Sequence, residues 1–540
     1  MLRLLAPLLI LLAATVTNAA ERGEPPVRAP FEGIDTLCVN DWWNREPSPI
    51  VETRVPRDEV IAFGIYTTHG GVVKLSAQLF PLYPDESREV TLEVQRDGDW
   101  QEVGRQEVDD IGWCTTFRVE DWDASRDARY RLSHPDGSTY EGFVRRDPVD
   151  QSEITVAALS CNSNRDRGMR PNYVRNINHQ DPDLVFFAGD QSYDHKEHTA
   201  AWLKFGLQFR EVFRKRPCVT IPDDHDIGQG NLWGEGGKKA GSMAGDDGGY
   251  FFHPEYIRMV ERAQCGHLPD PFDPTPIKRG IGVYYTCLRV GSVDFAIIED
   301  RKFKTGPKGR VPKLGKRPDL IMKKGFDPAK LDQKWFKLLG ERQHVFLKQW
   351  GQKRSSAMRC VLSQTGFAQA AHLTGGNAEK NRVLADLDSN GWPQSGRNAA
   401  LRLIRAAGAV HIGGDQHITT LVQNGIDEYR DGPWSFLVPA IVNNYWSRSW
   451  KPLGEVPGEN RDPANPLPWT GDYRDGFDNR LTMHAYANPG SPSNGAGYGL
   501  VRFDTTKQTV TFECWPRNAD VTKPDAKQFI GWPKTVSLDN

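Results

Sequence analysis

Six short apolar runs, most of them breaking off into side chains that bind metal or phosphate, constrain this chain more than any other feature. They are ITVAALSC (154–161), DLVFFAGD (183–190), PCVTIPDD (217–224), VDFAIIED (293–300), RCVLSQTG (359–366) and AVHIGGD (409–415). Continuous apolar runs without alternation are the pattern of strands buried on both faces. Amphipathic segments intervene. In TAAWLKFGLQFREVFRKR, Trp202, Phe205, Phe209, Val212 and Phe213 recur at helical spacing, and KLDQKWFKLLGERQHVFLKQWGQK and RNAALRLIRAAG also read as helices. Strands alternating with helices predict an α/β core. In such a sheet, ligands bind at the carboxyl ends of the strands.

The residues at those ends are the candidates for chemistry. The first run ends in Cys161, the second leads to Asp190 and Tyr193, and the third ends in Asp223, Asp224, His225 and Asp226. The fourth ends in Glu299, Asp300 and Arg301, and the sixth leads to Asp415 and His417. Singly, each has an ordinary explanation: an Asp after Gly makes a turn, and a lone buried Cys packs as a small hydrophobe. Together they differ, because carboxylates gathered without compensation are strongly destabilising and bound cations remove that penalty. Thiolate, phenolate, imidazole and carboxylate make a mixed donor set. Phenolate and carboxylate suit a trivalent ion such as Fe(III), and the remaining oxygen donors suit Ca²⁺, Mg²⁺ or Mn²⁺.

The rest of the chain frames this core. At 540 residues it exceeds one core, so two or more domains are expected. The N-terminal MLRLLAPLLILLAATVTNAA has a basic residue, an apolar stretch and small residues at its end, the pattern of a secretory signal over residues 1–19, which predicts export. Residues 20–150 carry alternating apolar–polar runs with turn chemistry between them and are expected to form a small all-β sandwich. An oxidising compartment would permit disulfides among the eight cysteines, with no pairing legible. The 68 basic and 70 acidic residues nearly cancel, so net charge singles out no nucleic-acid or membrane partner. Two long segments, 226–282 and 444–498, are rich in glycine, proline or tryptophan, and loops of that length are usually functional or disordered. GYGLVRFDTTKQTVTFECW reads as a terminal hairpin, and residues 506–540 as a C-terminal strand and tail.

GDQSY, DDHD and GGDQH, in that order and each at the end of an apolar run, resemble the motifs of the calcineurin-like metallophosphoesterases, and most closely the PhoD-like alkaline phosphatase/phosphodiesterase family. LSCNSN places a Cys where most metallophosphoesterases have a D-x-H, and IIEDRKF resembles the family's LD-x-R segment. The resemblance covers residues 151–505. It implies a metallophosphoesterase core, a β-sandwich of sheets flanked by helices and preceded by the small sandwich domain. It implies that Cys161, Asp190, Tyr193 and His417 hold iron. Asp190, Asp224 and Asp415, with Asn231, would face a second ion, calcium or else Mn²⁺, Mg²⁺ or Zn²⁺. It further implies hydrolysis of a small-molecule or polymer phosphate ester by a hydroxide generated at the metals. His225 would contact the phosphate or protonate the leaving group, Asp226 would orient its imidazole, and Asp300 and Arg301 would support the phosphate or the shell around it. Asp194 and His195 match no ligand position. DLDSNGWPQSGR departs from the family's more usual W-D-G-Y-P, with Asn390 before Gly391.

Two other readings compete. A secreted, non-catalytic protein could bind metal or polymer on the same fold, with 16 tryptophans as its support, although a binding module has no need of His225 beside three carboxylates. An acyl or peptide hydrolase is disfavoured because neither GxSxG nor HExxH occurs, and Ser363 in VLSQTGF lacks the nucleophile-elbow pattern.

Overall fold

In a computed structural model, which describes residues 33–39, 42–44, 47–353, 356–374, 379–443, 448–488 and 494–538, the apolar runs become the central strands of two sheets packed face to face. The first sheet runs in the order Cys218–Thr220, Leu184–Phe187, Glu153–Asn162, Gly497–Asp504, Thr509–Pro516, Lys534–Ser537, and Ala440–Val442 also pairs with Glu153–Asn162. The second is ordered Thr286–Val290, Val293–Ile297, Met358–Leu362, Ala409–Gly413, Trp434–Leu437, Thr419–Asn424, Arg480–Ala487, Gly471–Arg474. The run-derived strands are parallel to one another within each sheet, so their carboxyl ends point the same way.

Burial on both faces follows from the period of two along a strand. Val156, Ala158, Leu184 and Phe186 share one cluster with Phe295, Ile297, Leu362 and Ile412 of the other sheet. The alternate residues, Ala157, Leu159, Val185 and Phe187, turn outward against the helix His198–Phe213. There Phe187 meets Phe205 and Phe209 edge-on, each with ring centroids 5.0 Å apart. On the far side, Ala296, Val361 and Ala409 are covered by Phe346, Trp350, Leu401 and Ile404 of the helices Gly340–Gln352 and Gln394–Ala406. The result is four layers, helix–sheet–sheet–helix.

Residues 61–144 form a three-stranded and a four-stranded antiparallel sheet whose inward residues include Phe63, Leu75, Leu92 and Tyr130. This sandwich is joined tightly to the helix His198–Phe213. Phe63 lies 5.6 Å from both Trp202 and Phe213, ring to ring, and a Cβ on Gly206 would sit 1.8 Å from the Phe63 ring.

Three details depart from the sequence reading. The helix expected from residue 330 begins only at Gly340, because Pro328–Leu331 is a short 3₁₀ turn capped by Asp327. Residues 509–537 do not trail from the core: they add two strands to the first sheet, so the hairpin spans the boundary placed at 505. No disulfide forms among the cysteines of the described residues. The signal segment 1–19 lies outside those residues, within which no helix is long and apolar enough to cross a membrane.

Candidate metal centre

The two sheets bring their strand ends to one cavity of about 440 Å³. Cys161 closes the strand Glu153–Asn162, Asp190 follows Leu184–Phe187, Asp223 and Asp224 follow Cys218–Thr220, and Asp415 and His417 follow Ala409–Gly413. Convergence therefore comes from two facing sheets rather than along the edge of one. The local backbone is bent for it. Cys161, Asp190, Asp415 and His417 all have left-handed φ, of 57°, 60°, 63° and 51°. Such conformations cost non-glycine residues energy and cluster at functional sites. Gly189 makes the approach possible: its φ is +107°, and a Cβ there would lie 2.5 Å from the Asp223 Cβ.

The donor atoms fall into three overlapping groups that share Asp190, one with Cys161 and His417, one with Asp224 and His225, and one with Asp223, Asp224 and Asp415. On one side, Asp190 Oδ2 lies 3.6 Å from Cys161 Sγ and accepts a hydrogen bond from the Tyr193 hydroxyl at 2.8 Å. The same hydroxyl is 2.8 Å from His417 Nε2. On the other side, donor oxygens of Asp190, Asp223, Asp224 and Asp415 lie within 4.8 Å of one another. Asp190 Oδ1 reaches only the His225 backbone N–H, at 3.3 Å. Asp224 is 2% exposed, yet its Oδ1 has no hydrogen-bond partner. A buried carboxylate oxygen without a partner is costly.

The electrostatics point the same way. Burial, then the neighbouring carboxylates, push Asp190 well above the usual carboxylate range. Asp224 is raised by burial and then by Asp190. Burial also raises the Cys161 thiol and the Tyr193 phenol, with Asp190 adding to both. An imidazole beside thiol, phenol and carboxyl donors, with one carboxylate oxygen orphaned and Cys161, Asp190, Tyr193 and Asp224 disfavoured as bare anions, fits bound cations.

Arg301 sorts these acids. It is 2% exposed and its guanidinium is fully engaged. Nε and Nη2 donate to Asp223 at 2.7 and 3.2 Å, Nη1 donates to Asp388 Oδ1 at 2.7 Å, and Nη2 lies 3.1 Å from Asp415 Oδ2. Asp223 is thereby committed to a cation of the chain itself. Burial pushes Asp415 upward, but Arg301 and Arg448 outweigh it and hold that carboxylate below its ordinary range. The sequence reading gave Arg301 a place either at the phosphate or in the shell around it. The structure buries it behind the carboxylates, as their counter-charge.

The other named residues separate in the same way. Asp226 does not orient His225. Its carboxylate accepts the backbone N–H groups of Asp190, Ser192 and Asp223 at 2.7 to 2.9 Å and the Gln264 side chain at 3.0 Å, fixing the two metal-facing loops to each other. The partner of His225 is His195, with Nδ1 and Nε2 2.5 Å apart, so the His that matched no motif sits beside the site. His225 also lies over the Tyr193 ring, 4.1 Å between centroids, and burial holds its pKa well below the ordinary imidazole value. Asn231 lines the cavity and donates to Asp319 Oδ2 at 2.9 Å. Asp300 accepts from Thr365 N–H at 2.9 Å and from Asn390 at 2.5 Å, so the residue that departs from the family pattern bonds Asp300 beneath the site. Asp194 accepts from Asn164 and Arg167, at 3.0 and 2.5 Å.

Sequence reasoning missed the opposite wall. Lys316, Arg317, Asp319, Asp386, Asp388 and Arg448 all face the cavity. They come from 316–322, 381–388 and the start of Arg448–Ser449, segments without strong periodicity. The short antiparallel pair Leu320–Ile321 and Ala385–Asp386 holds two of these segments together.

No family model matches this chain, and no curated protein does. Solved structures do. One described as the structure of PhoD superposes with a TM-score of 0.61 at 14% identity, covering 90% of this chain and 92% of that one. The purple acid phosphatase PPD1 from yellow lupin (Lupinus luteus) seeds superposes with a TM-score of 0.52 at 13% identity, covering 88% and 73%. With two facing sheets between helices and metal-capable side chains at the shared strand ends, the chain has the fold of these two structures.

Proposed function

We propose that this chain is a metal-dependent phosphoric-ester hydrolase, of alkaline phosphatase or phosphodiesterase type, exported by the N-terminal segment 1–19. The observation that carries the reading is the shared Asp190, with one oxygen in a Cys161–Tyr193–His417 group and the other toward Asp224, beside an orphaned Asp224 Oδ1. Cys161, Tyr193 and His417 would hold a trivalent iron, and Asp224 and Asp415, with Asn231 nearby, would hold a calcium ion. Bound cations supply Lewis acidity and bring the pKa of water toward ~7.

The chain's own residues do the rest. His225 faces the cavity with Nδ1 tied to His195, which leaves Nε2 for the substrate's phosphoryl or leaving-group oxygen. Stacking on Tyr193 and the backbone bond to Asp190 fix the orientation of that ring. With its pKa held low the ring is neutral, and an N–H at Nε2 would donate a hydrogen bond to the phosphoryl or leaving-group oxygen. On the opposite wall Arg317 is paired with Asp319 and Arg448 with Asp386, and Lys316 stands beside them at the cavity as a cation for a phosphate ester.

The test is turnover of p-nitrophenyl phosphate and bis-p-nitrophenyl phosphate by metal-replete protein, with elemental analysis alongside. Hydrolysis with iron and a second metal bound, both lost in Asp190→Ala, is the expected result. Metal-replete protein inert on a broad panel of phosphomonoesters and diesters would sink the reading.

A further inference from the structure

Beside the metal cavity lies a larger groove, about 830 Å³. The two adjoin. Val383 lines both, Arg448 faces the cavity while Trp450, two residues on, faces the groove, and the segment carrying Leu320 and Met322 in the cavity wall continues to Lys324 and Phe326 in the groove. Both are of a size that encloses organic ligands, so the groove adds room beyond the metal cavity for what is attached to the phosphoryl group.

The groove offers apolar surface. Its acids and bases are largely spent on the protein. Asp472 accepts from Arg430 at 3.1 Å and from Thr482 at 2.5 Å, and Asp475 accepts the Gln369 and Phe477 backbone N–H groups at 3.0 and 2.9 Å. Arg474 pairs with Asp478 at 2.8 Å, and the Tyr473 hydroxyl donates to Val456 O at 3.1 Å. Lys324, Glu459 and Arg474 stand exposed around the groove, and between them Leu453 and Val456 face outward, 57% and 55% exposed, with Phe326 beside them. Large aliphatic side chains left this open, at the mouth of a groove that leads to a reaction centre, mark a ligand surface.

We infer that this groove seats the organic group of the phosphoester, and that this group is large and apolar, such as a long alkyl or acyl chain. The inference rests on the proposed phosphoesterase reading and specifies its substrate class. The phosphoryl group enters the metal cavity, and the chain attached to it runs past Val383 onto Phe326, Leu453 and Val456.

Alkylphosphonates, which carry their chain on a non-cleavable bond, test this as inhibitors of p-nitrophenyl ester turnover. n-Octylphosphonate, below its aggregation threshold, should inhibit at least about tenfold better than methylphosphonate, since each methylene taken from water adds to affinity. Leu453→Asp with Val456→Asp should reduce that ratio to within about twofold of unity, with turnover of the small ester serving as the check on folding. Should that variant not fold, Leu453→Ser alone should still lower the ratio. Equal inhibition by the two phosphonates, or a ratio untouched by these substitutions, overturns the inference while the hydrolase reading stands. Absence of any turnover in metal-replete protein overturns both.

Discussion

Arg301→Met removes the cation that joins Asp223, Asp388 and Asp415. Methionine keeps much of the volume and removes every donor. In the native chain the guanidinium touches Asp223, Asp388 and Asp415, with four N–O distances between 2.7 and 3.2 Å, in a place 2% exposed. Its removal leaves three buried carboxylates facing one another, and breaking such a buried pair costs about 3–5 kcal/mol. The carboxylates can escape only by taking up protons. Burial already raises Asp223 well above its ordinary range with Arg301 in place, and without it the rise is greater. A folded-state pKa above the unfolded one means stability that is present at low pH and lost as pH climbs toward the folded pKa. The deficit of the variant should therefore be smallest near pH 5 and widen by up to about 1.4 kcal/mol per pH unit for each carboxylate involved. Urea unfolding of chelator-treated protein, followed by tryptophan fluorescence from pH 5 to 8, measures it. Adding Asp223→Asn should restore part of the loss, because it removes the most heavily paired carboxylate. A variant within about 0.5 kcal/mol of the native protein, or a deficit flat across that pH range, would refute the counter-charge role.

Other expectations follow from the same geometry. Gly189→Ala must place a Cβ 2.5 Å from that of Asp223 at a φ of +107°, so it should cost more than about 2 kcal/mol and lower both metal content and turnover. His195→Phe removes the partner of His225 Nδ1 and should lower kcat by about 10- to 100-fold with little change in KM, read by steady-state kinetics at fixed metal. His198, His267 and His411 are fully buried, and burial lowers each to about 3, so all three fold neutral. Groups depressed in this way stabilise above the unfolded pKa, so stability should fall as pH drops from about 6.5 toward 3; a melting profile unchanged between pH 7 and 4.5 would contradict it. Gly206→Ala drives a Cβ into the Phe63 ring and should loosen the sandwich from the core, seen as earlier proteolysis of residues 61–144 than in the native protein.

What the sequence disclosed was whatever a strand or helix writes with a period. The continuous runs became central strands because both faces are buried, and Trp202, Phe205 and Phe209 became a covering helix because their spacing matches 3.6. The donors at the run ends were legible for the same reason: each is anchored by the strand before it. What the periods could not convey was pairing between segments far apart. Asp226 sits next to His225 in the chain, and neighbours on a turn point apart; its true partners are backbone amides 34 to 36 residues back. Whether Arg301 touched the phosphate or the shell around it stayed open, because its placement depends on Asp388 and Asp415, 87 and 114 residues away, which no local pattern encodes. His195 was set aside because it matched no ligand position, yet a loop that turns at Gly189 returns it to His225 across 30 residues. The opposite wall of the cavity is the extreme case, built from three aperiodic segments, two of which meet through Leu320–Ile321 and Ala385–Asp386. The candidate donors sit at or just beyond strand ends, where sequence specifies position, whereas the surfaces that would choose a substrate sit on longer loops, where it does not. The chemistry of this chain is thus readable from its runs, and its selectivity only from its fold.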